Sequence, residues 1–527
     1  MKSILIISLA LTSTTLIMLS SCRSTDTDSN LSGGTTSVDI NLLGSQFVDE
    51  SPEAEASVNS KSALTYNGVQ RHYTILDPST VLTAELSSEP LQKRAGISTS
   101  GSDAAGIPLK NGSMFRVIAY RGNGQYHTHQ DYIVGTKGLP LMLDNSKPYT
   151  IIAYSFGLPT LPVITESEKG LLSDAQTLYD TDKTDFMYQS QSLTPKDAQT
   201  TLSLMLEHRI TAVISTKIIA VALGDIDYIK KASIGPHYQS GTISLSNNGY
   251  ITGTGASSKI PLPAFTKIDG TSQISSGPDP NIGIGINSGG VTKGTFDATL
   301  SIGNVEKTFE GIPFKLAPGT RKKLTIRFDK CVAMILEKPR AFMCHDLGAD
   351  TSANPFEPSK RLHGAKYQWG KKSPAATAAQ DQQYGPGVDF PSWPEEYAPD
   401  TAWLKGSKGT EDPCPTGYRV PSPDEMSSLI SSNTVSSSTP WIAGSYTAGV
   451  TVRNTTIGGT IFLPAAGYRT FYRPGRLNDL GLYTLIWTGA YNSYIAKNAF
   501  RFEYSPSGSR VLSIEKNTGH SVRCIAE

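Results

Sequence analysis

Apolar and polar positions alternate in short bursts along most of the chain, and turn residues separate the bursts. Runs such as Phe115-Arg-Val-Ile-Ala-Tyr120, Leu139-Pro-Leu-Met-Leu143 and Tyr149-Thr-Ile-Ile-Ala-Tyr154 are bounded by Gly, Asn, Asp and Pro. Such runs predict an antiparallel β-sandwich from Val38 onward. A second group, Thr242-Ile-Ser-Leu245, Phe296-Asp-Ala-Thr-Leu-Ser-Ile302, Lys307-Thr-Phe309 and Lys323-Leu-Thr-Ile-Arg-Phe328, repeats the pattern across 217–330. That length suits a second small sandwich. Helical signals are weak before residue 420, apart from the stretch Pro195 to Thr200.

The texture changes after Cys331. Tyr367, Trp369, Tyr384, Phe390, Trp393, Tyr397 and Trp403 concentrate with prolines in a segment too long for a hairpin loop, which predicts a third domain over 331–527. Within it, Ser422-Pro423-Asp424-Glu425 fits a capping box, with Pro at the first helical position and carboxylates near the positive helix end. A helix is expected over about Pro423 to Ser431. Before it, Asp412-Pro413-Cys414-Pro415-Thr416-Gly417 reads as a rigid turn and Tyr418-Arg419-Val420 as a short strand.

The first residues follow another pattern. Lys2, an apolar stretch from Ile4 to Leu19 interrupted by Ser and Thr, and then Leu19-Ser20-Ser21-Cys22 resemble a bacterial lipoprotein signal. Residues 1–21 would be removed and the Cys22 thiol would carry lipid. The polar interruptions and short span argue against a retained membrane helix. The run RSTDTDSNLSGGTTS that follows has too little apolar content to pack and reads as a tether. No later segment has 18 consecutive apolar residues, so lipid would be the only built-in membrane attachment. The remaining length of roughly 500 residues suits about three domains.

A net charge of +1 gives no electrostatic reason for a nucleic-acid partner. Besides Cys22 the cysteines are Cys331, Cys344, Cys414 and Cys524. In an oxidising compartment an even number favours two disulfides, with three connectivities open. No C-x-x-C pair occurs, and the wide spacings do not form a zinc ligand set. Cys414 therefore reads as a staple rather than a nucleophile or metal ligand.

Other fragments carry less. Gly283-Ile-Gly285-Ile-Asn-Ser-Gly289 lacks dinucleotide-loop spacing, and Asp180-Thr-Asp182-Lys-Thr-Asp185 lacks the glycine and terminal Glu of a calcium loop. His127 and His129 would share one strand face, but no third ligand is evident. Trp369, Trp393, Trp403, Trp441 and Trp487 offer faces on which a sugar could stack, although core or loop-anchoring roles explain most of them. No nucleophile–base pair emerges, so no enzyme activity, cofactor or metal is expected.

Two family resemblances cover most of the chain. Residues from about 38 to 330 resemble the fimbrillin family of Bacteroidales fimbriae, through the Cys22 signal, Lys93-Arg94-Ala95, "LKNGSMFRVIAYRGNG", "KPYTIIAYSFG" and "LMLEHRITAV" in that order. Residues from about 363 to 527 resemble the FISUMP-type domain of some fimbrial tip proteins. The matching stretches are "YQWG" at 367–370, "DPCPTGYRVPSPDEM" at 412–426, "FLPAAGYR" at 462–469 and "GHSVRC" at 519–524. One departure is "GLYTLIWTGA" at 481–490. The family lacks support here for calcium-mediated sugar binding, because the Glu-Pro-Asn or Gln-Pro-Asp and Trp-Asn-Asp triplets of such lectins are missing.

The resemblance implies a mainly β fold: two antiparallel, transthyretin-like sandwiches and an α+β C-type-lectin-like domain. The implied divisions are signal 1–21, tether and propeptide 22–94, first sandwich 95–216 completed by strands from 38–94 before cleavage, second sandwich 217–330, and tip domain 331–527. It implies that Cys414 pairs with Cys524, which leaves Cys331 and Cys344 to pair with each other. It also implies a lipid-anchored precursor at the outer membrane, cut between Arg94 and Ala95 by a trypsin-like protease, with Arg71 as a rival site. A neighbouring subunit's strand would then fill the opened groove, and the C-terminal domain would face a host or bacterial surface ligand from the fimbrial tip. The alternative is a surface lipoprotein that binds a soluble glycan or peptide.

Overall fold

The computed structural model describes residues 34–47, 64–66, 69–88, 106–180, 185–196, 199–220, 223–267, 273–276, 284–290, 292–438, 440–472 and 475–527. Cys22, Arg94 and Ala95 lie outside these residues, as do 181–184 of the acidic run. The elements that position the candidate site are strands β1 (Thr35–Gln46), β2 (Val69–Asp77), β3 (Thr80–Ser88), β4 (Leu141–Asp144), β5 (Gln199–His208), β6 (Thr211–Ile219) and β7 (Arg321–Lys330). They are followed by helix α1 (Ala378–Gln383), strand β8 (Tyr418–Arg419), helix α2 (Pro423–Ser431) and strand β9 (Ile525–Ala526). Strand far outweighs helix, and among the described residues no helix is long and apolar enough to cross a membrane.

The first sheet has seven strands, in the order Tyr126–Ile133, Met114–Arg121, Tyr149–Ser155, Met187–Leu193, β5, β1, β4. Its two faces bury separate cores. Val117, Ile151, Leu204 and Leu206 fill one; Ile118, Tyr154, Phe186 and Tyr188 fill the other, against the hairpin Ser240–Ser244 and Tyr250–Thr254. Alternation along Phe115–Tyr120 is lost because both faces of that strand are covered. The hairpin, expected in the second sandwich, therefore packs on the first: Ile243 and Ile251 point into its core, and strand Gln176–Tyr179 pairs with it.

The second sheet is centred on β7, which pairs with β6 on one side and β3 on the other. It packs against a four-stranded sheet of Ile226–His237, Ser258–Pro261, Thr292–Ile302 and Val305–Leu316, with Phe296, Phe309 and Phe328 in the shared core. Strand β6 crosses the expected boundary at 216/217 and lies wholly in this sheet.

Two expectations change. Pairing is not uniformly antiparallel: β1 runs parallel to β5, and β6 parallel to β7. The partners are distant in sequence, so no tight turn dictates direction. Strands 69–88 do not complete the first sandwich; β3 sits between β2 and β7. Leu82, Ala84 and Leu86 are fully buried on one face, in the core of the second sandwich, and Val81 is fully buried on the other, in the core of the C-terminal module.

The C-terminal module joins α1 and α2 to a three-stranded sheet of Thr484–Tyr491, Asn498–Ser505 and Gly508–Glu515. Helix α2 has both arms of its capping box: the Ser422 hydroxyl accepts from Glu425 N–H and the Glu425 carboxylate accepts from Ser422 N–H. Helix α1, capped by Thr377 and Gln380, was not legible beforehand, whereas residues 199 and 200 begin strand β5 rather than a helix.

Candidate functional site

Strand β1 is inserted between β5 and β4. It pairs with β5 from Ser37↔Gln199 to Gln46↔Glu207 and with β4 from Thr35↔Asp144 to Val38↔Leu141. Thr36 and Val38 are fully buried, and Ile40 and Leu42 pack on the same core as Leu141, Leu143, Leu202, Leu204 and Leu206. Thus backbone bonds hold β1 on both edges while alternate side chains enter an apolar floor, which is the geometry of an added strand. Without β1, the edges of β4 and β5 would present unpaired N–H and C=O groups beside exposed leucines.

The far end of β1 is fixed by a bulge at Gly44 and a crossing segment. Ser45 exchanges backbone bonds with Ile107 at 2.8 and 2.7 Å. Gly44 has φ +129°, and a Cβ there would meet the Ile107 carbonyl at 2.7 Å, so only glycine fits. Phe47 stacks on His208 with ring centroids 3.9 Å apart, and His208 Nε2 lies 3.1 Å from Ser45 Oγ. Beyond this end opens a cleft of about 690 Å³ with a mixed lining that includes Gln46, Glu207, Arg209, Met205, Tyr250 and Ile251.

Arg71, the rival cleavage position, lies within β2, paired with Glu85 of β3 in the ladder and by an ion pair at 2.9 Å. A residue in a paired strand is a poor protease substrate compared with one in an exposed connection.

Residues 519–527 are held in the opposite manner. Cys524 is bonded to Cys414, with Cα atoms 5.9 Å apart and a sequence separation of 110. Cys331 is bonded to Cys344, with Cα atoms 5.3 Å apart. Backbone bonds link Gly519 to Arg469, His520 to Tyr367, Trp487 N–H to Ser521 O, Leu347 N–H to Val522 O and Met343 N–H to Cys524 O. β9 pairs with β8, and Arg523 Nε donates to Asp346 Oδ1 at 2.8 Å, both side chains 1% exposed.

The turn that presents Cys414 is built by Asp412, whose two carboxylate oxygens accept from Cys414 N–H and Val420 N–H, each at 2.9 Å. Lys408 Nζ donates to the carbonyls of Cys414 and Tyr418 at 2.7 and 2.6 Å. A carboxylate two residues before the cysteine is the signal that was overlooked. Farther on, the Arg419 guanidinium forks onto Glu425 at 2.8 and 2.6 Å, tying β8 to the start of α2.

This module buries several charged groups. Lys366, Asp381 and Arg469 form one internal group, with Arg469 Nε donating to Asp381 at 2.6 Å and Lys366 Nζ to the Ala466 carbonyl at 2.8 Å. Burial, reinforced by Arg523, lowers the His345 imidazole to about 4. Burial, reinforced by Lys366, lowers His363 to about 3, and burial with Arg501 and Lys366 holds His520 well below its ordinary value.

Trp369, Trp393, Trp403 and Trp487 are buried, and each indole N–H donates to a backbone carbonyl, so they build the core rather than offer a stacking face. Trp441 is partly buried against the same module. Exposed aromatic surface comes instead from Tyr472, Tyr491 and above all Tyr494, 96% exposed on a loop fixed by Asn492, whose Oδ1 accepts from Tyr494 N–H and Ile495 N–H. His127 and His129 are separately engaged by Arg121 and Tyr126, and among the described residues no cluster of three metal-ligating groups occurs.

No protein-family model matches the chain, and no curated protein matches it. Several solved structures align with parts of the chain at low identity. A candidate cell adhesion protein from Bacteroides fragilis is 12% identical over 57% of this chain and 95% of its own, with a TM-score of 0.28. A candidate cell adhesion protein from Parabacteroides distasonis is 12% identical over 45% of this chain and 88% of its own, at 0.30. A fimbrial assembly protein from Parabacteroides distasonis is 8% identical over 44% and 86%, at 0.24.

Proposed function

We propose that the chain is a structural and adhesive subunit at the tip of a cell-surface fimbrium. In this reading it is exported as a lipoprotein through Cys22, cut between Arg94 and Ala95, and joined to its neighbour by a strand that takes the place of β1. The observation that carries the reading is the insertion of β1 between β4 and β5, far upstream of the strands it completes. A cut anywhere between residues 88 and 106 separates it covalently from that sheet.

Residues 519–527 act as no donor in this account, because a disulfide and ladders on several sides hold them. The chain accepts a neighbour at the first sandwich and turns the C-terminal module outward, with the Tyr494 loop as its exposed aromatic surface. Binding and assembly are its work; no catalytic role is assigned. The alternative, an outer-membrane lipoprotein that binds a soluble glycan or peptide, draws on the cleft beside Gln46.

Mass spectrometry of the protein isolated from the cell surface separates the two. The tip reading predicts that the large polypeptide starts at Ala95 and co-purifies with fimbriae. An uncut chain beginning at lipidated Cys22 and free of fimbriae would overturn it and support the receptor.

A further inference from the structure

The leader region contains two pieces with different fates built into their contacts. Strand β1 has its hydrogen-bonded edges in the first sheet, and only Thr36, Val38, Gly44 and Ser45 of it are buried. The hairpin β2–β3 lies elsewhere. β3 pairs with β7 over nine positions, from Thr80↔Lys330 to Ser88↔Lys322. Leu82, Ala84 and Leu86 enter the core of the second sandwich, whereas Val81, with Tyr73 and Ile75 of β2, packs in the core of the C-terminal module.

The hairpin's turn makes the link specific. The Pro78 carbonyl accepts from Cys344 N–H at 2.7 Å and the Ser79 carbonyl from Cys331 N–H at 2.8 Å, so one turn engages both halves of that disulfide. Gln70 exchanges two bonds with the Lys315 backbone, at 2.9 and 2.6 Å, and Thr83 donates to Asp329 at 3.0 Å. Twenty residues from the leader thus bridge two modules that both follow it by more than a hundred positions in sequence.

We propose that hairpin β2–β3 is a retained docking element: after a chain break downstream of residue 88 it stays on the subunit as a splint between the second sandwich and the C-terminal module, and β1 alone is exchanged. This rests on the reading of residues 22–94 as a processed leader. The stretch 48–63 between β1 and the hairpin could reach about 50 Å when extended, at roughly 3.4 Å per residue, so β1 can leave its slot while the hairpin remains.

The test uses the chain from residue 23 onward with one specific-protease site placed between residues 96 and 103, cut under native conditions and then run on a sizing column. The upstream fragment is expected to co-elute with the remainder. Labelled peptides of residues 34–47 and 64–88 are then offered in excess, and the first is expected to exchange at least about 100-fold faster, given the larger apolar burial of the hairpin. Val81→Ala should shorten hairpin retention by about tenfold without placing a charge in the core. Loss of the upstream fragment from a remainder that keeps its native tryptophan fluorescence would overturn the proposal, as would equal exchange of the two peptides. No neighbouring subunit is present, so the outcome is independent of whether β1 is replaced in an assembled fibre.

Discussion

Strand β1 and residues 519–527 solve the same problem, pairing a strand far from its partners in sequence, by opposite means. β1 is held by two ladders, an apolar floor and a glycine bulge, with no covalent tie and no buried charge. Residues 519–527 are held by a disulfide, a buried Arg523–Asp346 pair and bonds to at least five separate segments. Ladder and apolar contacts can be remade by another strand of similar pattern, whereas a disulfide and an internal ion pair cannot be supplied by a generic strand. On the proposed reading, that difference makes the first place replaceable and the second fixed.

The largest effect should come from removing the covalent tie. Cys414→Ser with Cys524→Ser opens a loop of 110 residues and should cost about 4–5 kcal/mol on the chain-entropy account. All five tryptophans lie at or beyond position 369, so urea unfolding followed by their fluorescence reports this module. An unmoved midpoint would show that the ladders alone hold residues 519–527.

Acid should act on the same module next. His345, His363 and His520 are neutral in the fold, with the first lowered to about 4 and the second to about 3. The unfolded chain's imidazoles take up protons near their ordinary 6.5, so the unfolded state binds more protons as the pH drops. The stability these groups contribute is whole above about pH 6.5 and declines below it, by up to about 1.4 kcal/mol per histidine per pH unit, down to about pH 4 for His345. Tryptophan-monitored urea midpoints at pH 7 and pH 5 check this. A rise on acidification would contradict the neutral assignment.

The smallest effect sharpens the other side of the comparison. Val38→Thr places a hydroxyl in the apolar floor under β1 and should weaken its hold by about 1–2 kcal/mol. The tryptophan transition should not move. Amide exchange in residues 35–46 should quicken by roughly tenfold, read by mass spectrometry.

Much of this arrangement was legible in the residues. The Ser422–Glu425 box announces α2, because capping is local and its side chains are close in sequence. The short strands were visible as runs, but their partners were not: nothing within residues 80–88 says that β7, more than two hundred positions on, is the neighbour. That is why hairpin β2–β3 was expected in the first sandwich. The alternation of Leu82, Ala84 and Leu86 with Thr83, Glu85 and Ser87 announces one buried face, but not which core that face enters. Asp412 was readable too, as a carboxylate poised to bond backbone N–H groups of its own turn. The burial of the tryptophans was less so, because an indole in a loop-rich segment serves core and ligand equally well until its N–H partner is known.

The comparison itself is tested most directly by hydrogen–deuterium exchange of the intact chain, comparing amides of residues 35–46 with those of residues 519–526. The account predicts that β1 opens at a free energy well below that of global unfolding, and that residues 519–526 exchange only with global unfolding of their module until Cys414–Cys524 is reduced. Exchange of 519–526 as fast as that of β1 in the oxidised protein would contradict it.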